Sequence, residues 1–152
     1  MSSDYSILKG TLGECYLLQF DGLSEPNPGT STAGAVIFSP DRKPILETGE
    51  FMNFATNNQA EYTGLYIGLK AAIELGVKDI LIEGDSQLII NQTQGKWKVK
   101  NEGMRLLHKK VCDLLPNFNS IGIRHIYRDK NTYADKITNN VLASKQSFTS
   151  IL

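Results

Sequence analysis

Three short apolar runs separated by turns, followed by a change to helical spacing, constrain the fold of this chain more than any other feature. The runs cover residues 15–20, 33–38 and 45–54. Between them stand SEPNPG and SPDRKP, whose prolines and glycine are typical of turns. Short connections of this kind predict an antiparallel meander. From 58 to 75 the apolar and small residues recur every three to four positions, which predicts a helix packed on that sheet.

The second half of the chain alternates strand-like and helix-like segments. We predict strands at 79–83 and 121–127, and helices at 86–93, 103–115 and 131–143. Strands that return through helical crossovers can run parallel. The pattern therefore predicts an α/β fold with a five-stranded mixed sheet flanked by helices.

Length and composition describe one ordinary globular domain. We expect a polar, loosely ordered lead-in at 1–14 and a single domain at 15–152. Cys15 and Cys112 lie in apolar or helix-like surroundings, which favours free thiols over a disulfide. The amino terminus lacks the pattern of a secretion signal, and no apolar run approaches about 18 residues. We therefore expect an intracellular protein without a membrane span.

Charge is balanced overall but unevenly distributed. Sixteen cations stand against 16 anions, so net charge indicates neither a nucleic acid nor a membrane as a partner. Between Lys96 and Lys110, six cations accompany a single acid, Glu102. Taken alone, this segment is explained as well by a solvated helix face and loop.

Three acidic residues stand where predicted elements begin or end. Asp21 follows the first strand, Asp85 follows the fourth strand, and Asp135 opens the last helix on the side that we expect to face the sheet. Each has an ordinary explanation on its own, as a turn aspartate, a helix cap or an acid in the first turn of a helix.

Glu61 is harder to explain as a surface acid. It lies in the first turn of the predicted 58–75 helix, on the face of Leu65 that turns to the core, and no cation is close in sequence. Gly64 and Gly68 fall on one face of the same helix, so we expect it to approach the sheet closely. Carboxylates that are brought together and desolvated repel each other unless a cation neutralises them. The four acids together therefore predict an all-oxygen site for Mg²⁺ or Mn²⁺.

The settings of these acids resemble a known family. DGLSEPNPG, TNNQAEY, GDSQL and NTYAD, in this order, resemble the ribonuclease H type 1 family and most of all its compact branch, seen in archaeal and plant domains. The resemblance covers about residues 15–143. It implies a five-stranded sheet of order 3-2-1-4-5 and hydrolysis of the RNA strand of an RNA/DNA hybrid, leaving 5′-phosphate and 3′-hydroxyl ends. Two Mg²⁺ or Mn²⁺ ions would be held by Asp21, Glu61, Asp85 and Asp135.

An auxiliary catalytic residue is also implied by the resemblance. In the compact branch an arginine stands seven positions before the last acid, and Arg128 occupies that place. His125 is the alternative, although it lies earlier, within the fifth predicted strand. The ordinary explanations are an arginine in solvent at a strand end and a packed or hydrogen-bonded strand histidine.

The resemblance further implies six substrate-binding residues and makes the lysine-rich segment a candidate phosphate track. For Trp97 an anchor that covers the edge of the core remains an alternative. The six are Asn57, Asn58 and Gln87 for the minor groove, Thr56 and Asn101 for a phosphate of the DNA strand, and Trp97 for the sugars of that strand.

Two other functions remain open at this point. One is a catalytically idle relative that binds nucleic acid or protein, and the other is a different two-metal phosphodiesterase such as a junction resolvase or an exonuclease. The lysine-rich handle of larger bacterial members is missing or much reduced in this chain, so we expect weak and salt-sensitive substrate binding. We expect it to act as a monomer.

Overall fold

The computed structural model describes residues 5–152, which form seven strands and four α-helices. The strands are Ser6–Lys9 (β1), Tyr16–Ser24 (β2), Gly29–Phe38 (β3), Pro44–Ala55 (β4), Asp79–Gly84 (β5), Ser120–His125 (β6) and Phe148–Ile151 (β7). The helices are Asn57–Glu74 (α1), Gln87–Thr93 (α2), Glu102–Leu114 (α3) and Thr132–Ser144 (α4), with 3-10 turns at Leu115–Asn117 and Arg128–Lys130. One sheet holds all seven strands in the order β1-β6-β5-β2-β3-β4-β7.

The five central strands have the predicted topology. β2, β3 and β4 pair antiparallel, whereas β2 with β5 and β5 with β6 pair parallel. Numbered from β2 onward, these strands lie in the order 3-2-1-4-5. The prediction of a mixed sheet flanked by helices is therefore confirmed.

The sheet is wider than predicted, because one further strand lies at each edge. β1 pairs antiparallel with β6, and β7 pairs antiparallel with β4. The prediction of a loosely ordered lead-in at 1–14 is therefore wrong for Ser6–Lys9. Each edge strand has only four residues, in which half-buried and exposed positions alternate. So short a pattern is hard to recognise in a sequence, and the pairing with a longer strand stabilises it.

Three element boundaries differ from the prediction near candidate site residues. β2 continues through Asp21, so this acid lies inside the strand rather than after it. α1 begins at Asn57, which puts Glu61 in the second turn of the helix rather than the first. β6 ends at His125, two residues before the predicted end at 127.

The packing of α1 on β2 depends on two glycines. A Cβ added at Gly64 would lie 2.5 Å from the Asp21 carbonyl oxygen, and one added at Gly22 would lie 2.3 Å from the Ala60 carbonyl carbon. Helix and strand therefore touch backbone to backbone at this point. The expected close approach of a glycine-bearing helix face to the sheet is confirmed.

Two other expectations concern cysteines and membranes. Both cysteines are free thiols, Cys15 buried and Cys112 half-buried. Within residues 5–152, no helix combines the length and the hydropathy that crossing a bilayer requires.

We expect Gly64→Ala to destabilise the protein, because the new methyl group would overlap the Asp21 carbonyl oxygen. Overpacking of this kind costs about 1–3 kcal/mol, and the free energy of unfolding measured in urea should fall by that amount. Gly13→Ala is the matched control, since nothing lies within 4 Å of a Cβ at that position. Equal stability of the two variants would contradict the close contact.

Candidate metal centre

Three carboxylates meet where α1 crosses the end of the parallel pairing between β2 and β5. Asp21 lies in β2, Asp85 directly follows β5, and Glu61 comes from α1. Phe20 lies beside Gly84 in the parallel pair, so the next residue of each strand, an aspartate in both cases, lies at the same end of the sheet. One oxygen from each of the three carboxylates lies within 4.8 Å of the other two.

Burial and mutual repulsion favour protonation of this three-acid cluster. Asp21 is 7% exposed and Glu61 is 5% exposed. Burial, and next the charge of Asp85, raises the pKa of Asp21 to about 7. Burial, and next the charges of Asp21 and Asp85, raises the pKa of Glu61 well above its usual range. The cluster therefore needs positive charge, from protons or from a cation.

One oxygen of the cluster also lacks a hydrogen-bond partner. Asp21 Oδ1 accepts a hydrogen bond of 2.8 Å from the Gly22 N–H. Glu61 Oε1 is buried and has no partner within the described residues. A buried oxygen without a donor is costly, and a bound cation would satisfy it.

Asp135 is not part of the three-acid cluster, although it lies within electrostatic reach of Asp21. It lies in the first turn of α4, as predicted, but its side chain is exposed. The prediction that it faces the sheet is wrong, because α4 buries a face that carries Ala134, Ile137 and Val141. The charge of Asp135 nevertheless raises the pKa of Asp21, so it lies on the same side of the molecule as the three-acid cluster.

Asn131 is a component of this centre that the sequence did not indicate. It occupies the N-cap position of α4, yet its side chain makes no capping hydrogen bond. Its fully buried amide instead donates to the Phe20 carbonyl oxygen at 2.8 Å and to Asp85 Oδ2 at 3.1 Å. The amide thereby fixes Asp85 relative to β2. An asparagine at a helix start is ordinarily interpreted as a cap, so the sequence alone does not reveal this contact.

His125 is the last residue of β6, and Arg128 lies in the loop that leads from β6 to α4. Arg128 is exposed, and its charge lowers the pKa of Glu61, which places the guanidinium within electrostatic reach of the cluster. His125 Nε2 lies 3.2 Å from the Asp85 carbonyl oxygen, to which it donates when its hydrogen is on Nε2. His125 is thus a hydrogen-bonded residue at the end of a strand.

The N-terminal ends of α1 and α3 lie next to each other. Thr56 caps α1: its hydroxyl accepts from the Gln59 N–H at 3.1 Å, and its own N–H donates to Gln59 Oε1 at 2.9 Å. Asn101 caps α3 by accepting from the Met104 N–H at 3.2 Å. Gln59 Nε2 donates to the Gly103 carbonyl oxygen at 3.4 Å and so joins the two helix starts. Helix N-termini attract anions, and here two of them are adjacent.

The other candidate substrate contacts lie on accessible surface. Asn57 and Asn58 are half-buried in the first turn of α1, and the Asn57 N–H donates to Asn27 Oδ1 at 2.9 Å. Gln87 is exposed as the first residue of α2. Trp97 is 48% exposed in the loop between α2 and α3, so about half of its surface is free for a ligand.

All six cations of the lysine-rich segment between Lys96 and Lys110 are exposed. Arg105 pairs with Glu102 at 2.8 Å, and Lys109 pairs with Asp113 at 2.9 Å. Such surface pairs are weak and leave the cations available to other anions. Three lysines in the loop before α3 form no ion pair within residues 5–152: Lys96, Lys98 and Lys100.

We expect the metal-free protein to lose stability as the pH rises. The pKa of Asp21 is raised from an ordinary 3.8 to about 7, so the protonated folded state is favoured below about pH 4 and the advantage is lost by about pH 7. Melting temperatures measured in a chelator should fall across this interval. Asp21→Asn should melt several degrees higher than wild type at about pH 8, because it removes one of the repelling charges. Parallel curves for the two proteins would contradict this electrostatic account.

The chain matches a family model described as reverse transcriptase-like over residues 19–141. It is 39% identical over 123 residues to ribonuclease HI of Halobacterium salinarum, covering 81% of this chain and 62% of that protein. It is 37% identical over 133 residues to a bifunctional protein of Mycobacterium tuberculosis, covering 86% of this chain and 36% of that protein. The chain thus spans less than two thirds of the length of these curated relatives.

Solved structures show the same relationship. The crystal structure of RNase H1 from H. salinarum has a TM-score of 0.82 at 37% identity and covers 85% of this chain and 98% of its own. LC11-RNase H1, solved in complex with an RNA/DNA hybrid, has a TM-score of 0.81 at 27% identity and covers 86% of this chain and 98% of its own. Sequence and fold agree, and the chain belongs to the ribonuclease H type 1 family.

Proposed function

We propose that this protein is a ribonuclease H that hydrolyses the RNA strand of RNA/DNA hybrids with two Mg²⁺ or Mn²⁺ ions, leaving 5′-phosphate and 3′-hydroxyl ends. The observation that carries the proposal is the convergence of three acids from three separate elements to within 4.8 Å. The ribonuclease HI relative and the hybrid bound by LC11-RNase H1 support the substrate class.

Asp21, Glu61 and Asp85, with Asp135 beside them, would hold the ions. Oxygens that share one Mg²⁺ lie within about 4.2 Å of each other, twice the usual Mg–O distance of about 2.1 Å. The three carboxylate oxygens lie within 4.8 Å of one another, which is compatible with ligands of a divalent-ion site. The unpartnered Glu61 Oε1 and the raised pKa of Asp21 fit the same site, since both require positive charge. When bound, paired ions in such sites activate the attacking water and stabilise the leaving oxygen.

The protein itself contributes position and charge. Asn131 holds Asp85 through its amide, and the close packing of α1 on β2 holds Glu61 against Asp21. Arg128 is the better candidate for the auxiliary role, because its exposed guanidinium acts electrostatically on the cluster and remains free to meet a phosphate. The His125 ring is already engaged with the Asp85 carbonyl oxygen.

Substrate contacts would come from the surface around the acids. Amide side chains can reach the 2′-hydroxyl and base edges in the minor groove without demanding a sequence, and exposed lysines can follow the phosphates. The joined starts of α1 and α3 suit a phosphate of the DNA strand. We assign the minor groove to Asn57, Asn58 and Gln87, the DNA phosphate to Thr56 and Asn101, and the DNA sugars to Trp97.

The direct test is cleavage of a labelled RNA/DNA hybrid with Mg²⁺ or Mn²⁺, compared with single-stranded RNA, duplex RNA and duplex DNA. We expect cleavage of the hybrid alone. Asp85→Asn should lower kcat by more than about 100-fold, since it removes a ligand rather than a group that only supports one. Glu74→Gln, an exposed acid at the far end of α1, is the control and should retain full activity.

Two results would contradict the proposal in different ways. Equal cleavage of duplex DNA would refute hybrid specificity and favour another two-metal phosphodiesterase. Tight binding of the hybrid without cleavage, across both metals and several salt concentrations, would identify a catalytically idle binding module.

We also expect Asn131→Ala to lower kcat by about 10–100-fold, the effect typical of losing a group that hydrogen-bonds a metal ligand. Because Asn131 acts through Asp85, the Mg²⁺ concentration for half-maximal activity should rise as well. A purely structural role would lower the melting temperature without changing the metal dependence of the remaining folded enzyme.

A further inference from the structure

A cavity outside the metal centre lies at the end of β5, on the face of the sheet away from α1. Its volume is about 500 Å³, within the range of about 300–1,000 Å³ that small-molecule sites occupy. Side chains alternate between the two faces of a strand. The strand residues that line the cavity are therefore the sequence neighbours of residues that pack against α1. Its lining includes Gln19, Glu83, Arg124, His125, Tyr127 and Lys130.

The inner wall of this cavity is polar and already organised. Glu83 is 4% exposed; it accepts from Gln19 Nε2 at 2.7 Å and from Arg124 Nε at 2.6 Å. Arg124 therefore neutralises the one acid of the lining. Lys130 adds a second cation, so the cavity carries two positive side chains against one negative side chain and suits an anionic ligand.

The outer rim carries an aromatic ring that little else covers. Tyr127 is 76% exposed, and its ring stands edge-on to His125, with centroids 5.6 Å apart and planes at 83°. An exposed aromatic face beside a cation is well suited to hold a nucleotide by stacking and charge.

The rim is connected to the metal centre through the backbone of Asp85. His125 Nε2 lies 3.2 Å from the Asp85 carbonyl oxygen, and the Ile126 N–H donates to the Gly84 carbonyl oxygen at 2.9 Å. Tyr127 thus contacts the ring of His125, which is hydrogen-bonded to the backbone of Asp85, a proposed metal ligand. A nucleic-acid strand that extends from the metal centre over this cavity would meet Tyr127 and Lys130 first.

We propose that this cavity binds a ribonucleotide unit of the RNA strand next to the cleaved phosphate, with its base or sugar against the Tyr127 ring and its phosphate at Lys130. The inference rests on the proposed function and adds a substrate contact on the face of the sheet that α1 does not cover. It needs no base-specific hydrogen bond, because a ring stacks on any base and a lysine meets any phosphate.

The test combines hybrid binding in a chelator with steady-state cleavage of a hybrid that contains one short ribonucleotide run. Tyr127→Ala should raise both the dissociation constant and KM by about fivefold or more, while Tyr127→Phe stays near wild type because it keeps the ring. Lys130→Ala should reduce the slope of log affinity against log salt concentration by the amount expected for about one phosphate contact. Lys78→Ala, an exposed lysine at the opposite end of β5, should change neither quantity.

Shortening the RNA strand, one nucleotide at a time from each end, identifies the bound unit. Removing that nucleotide should weaken wild-type binding by at least the factor of Tyr127→Ala, and it should weaken Tyr127→Ala by less, because only the Lys130 contact then remains to be lost. Wild-type affinity and KM in both Tyr127→Ala and Lys130→Ala would overturn the inference. So would a loss in Tyr127→Phe as large as that in Tyr127→Ala.

Failure of this inference is distinguishable from failure of the proposed function. If wild type cuts the hybrid and both rim variants, Tyr127→Ala and Lys130→Ala, keep wild-type affinity and KM, only the cavity inference is rejected. If wild type binds the hybrid but does not cut it, the proposed nuclease activity is rejected. The binding measurements in the chelator still decide the role of Tyr127.

Discussion

The backbone contact between α1 and β2 is the constraint on which the rest of the structure depends. A side chain at Gly64 would overlap the Asp21 carbonyl oxygen, and a side chain at Gly22 would overlap the backbone of Ala60. This contact places Glu61 against β2 at Asp21, which lies beside Asp85 at the end of β5. The result is a desolvated group of like charges, which an ordinary core avoids because repulsion and burial both oppose it. The fold therefore holds an arrangement that a divalent cation stabilises.

Around this contact, the buried and exposed residues contribute differently. Asn131, fully buried, holds Asp85 with a side chain that gives up its usual capping role. The residues assigned to substrate are half-buried or exposed, where a long polymer can reach them. The overall charge is balanced, so attraction for a polyanion depends on the local excess of cations in the loop before α3 and at its start. Binding should accordingly be more sensitive to salt than the fold is.

Much of this was predictable from the sequence, and the remainder depends on tertiary contacts. The central strands appear as apolar runs between turns, α1 shows a helical period, and the acid on the packed face of α1 already indicated a cation site. The edge strands β1 and β7 are too short to show a period and gain stability from pairing. Asp135 is exposed because the register of α4 on the sheet decides which face it buries. Asn131 resembles a helix cap in sequence, and Tyr127 resembles the last residue of a strand, until their neighbours are known.

The most direct test of the central claim is calorimetric titration of Mn²⁺ into metal-free wild type and Asp21→Asn at about pH 7, in two buffers of different ionisation enthalpy. If the clustered acids hold the cation, wild type should bind with net release of protons, because the pKa of Asp21 is raised to about 7. The variant should bind more weakly and release fewer protons. Absence of binding to wild type, or identical affinity and proton release in the two proteins, would contradict the account.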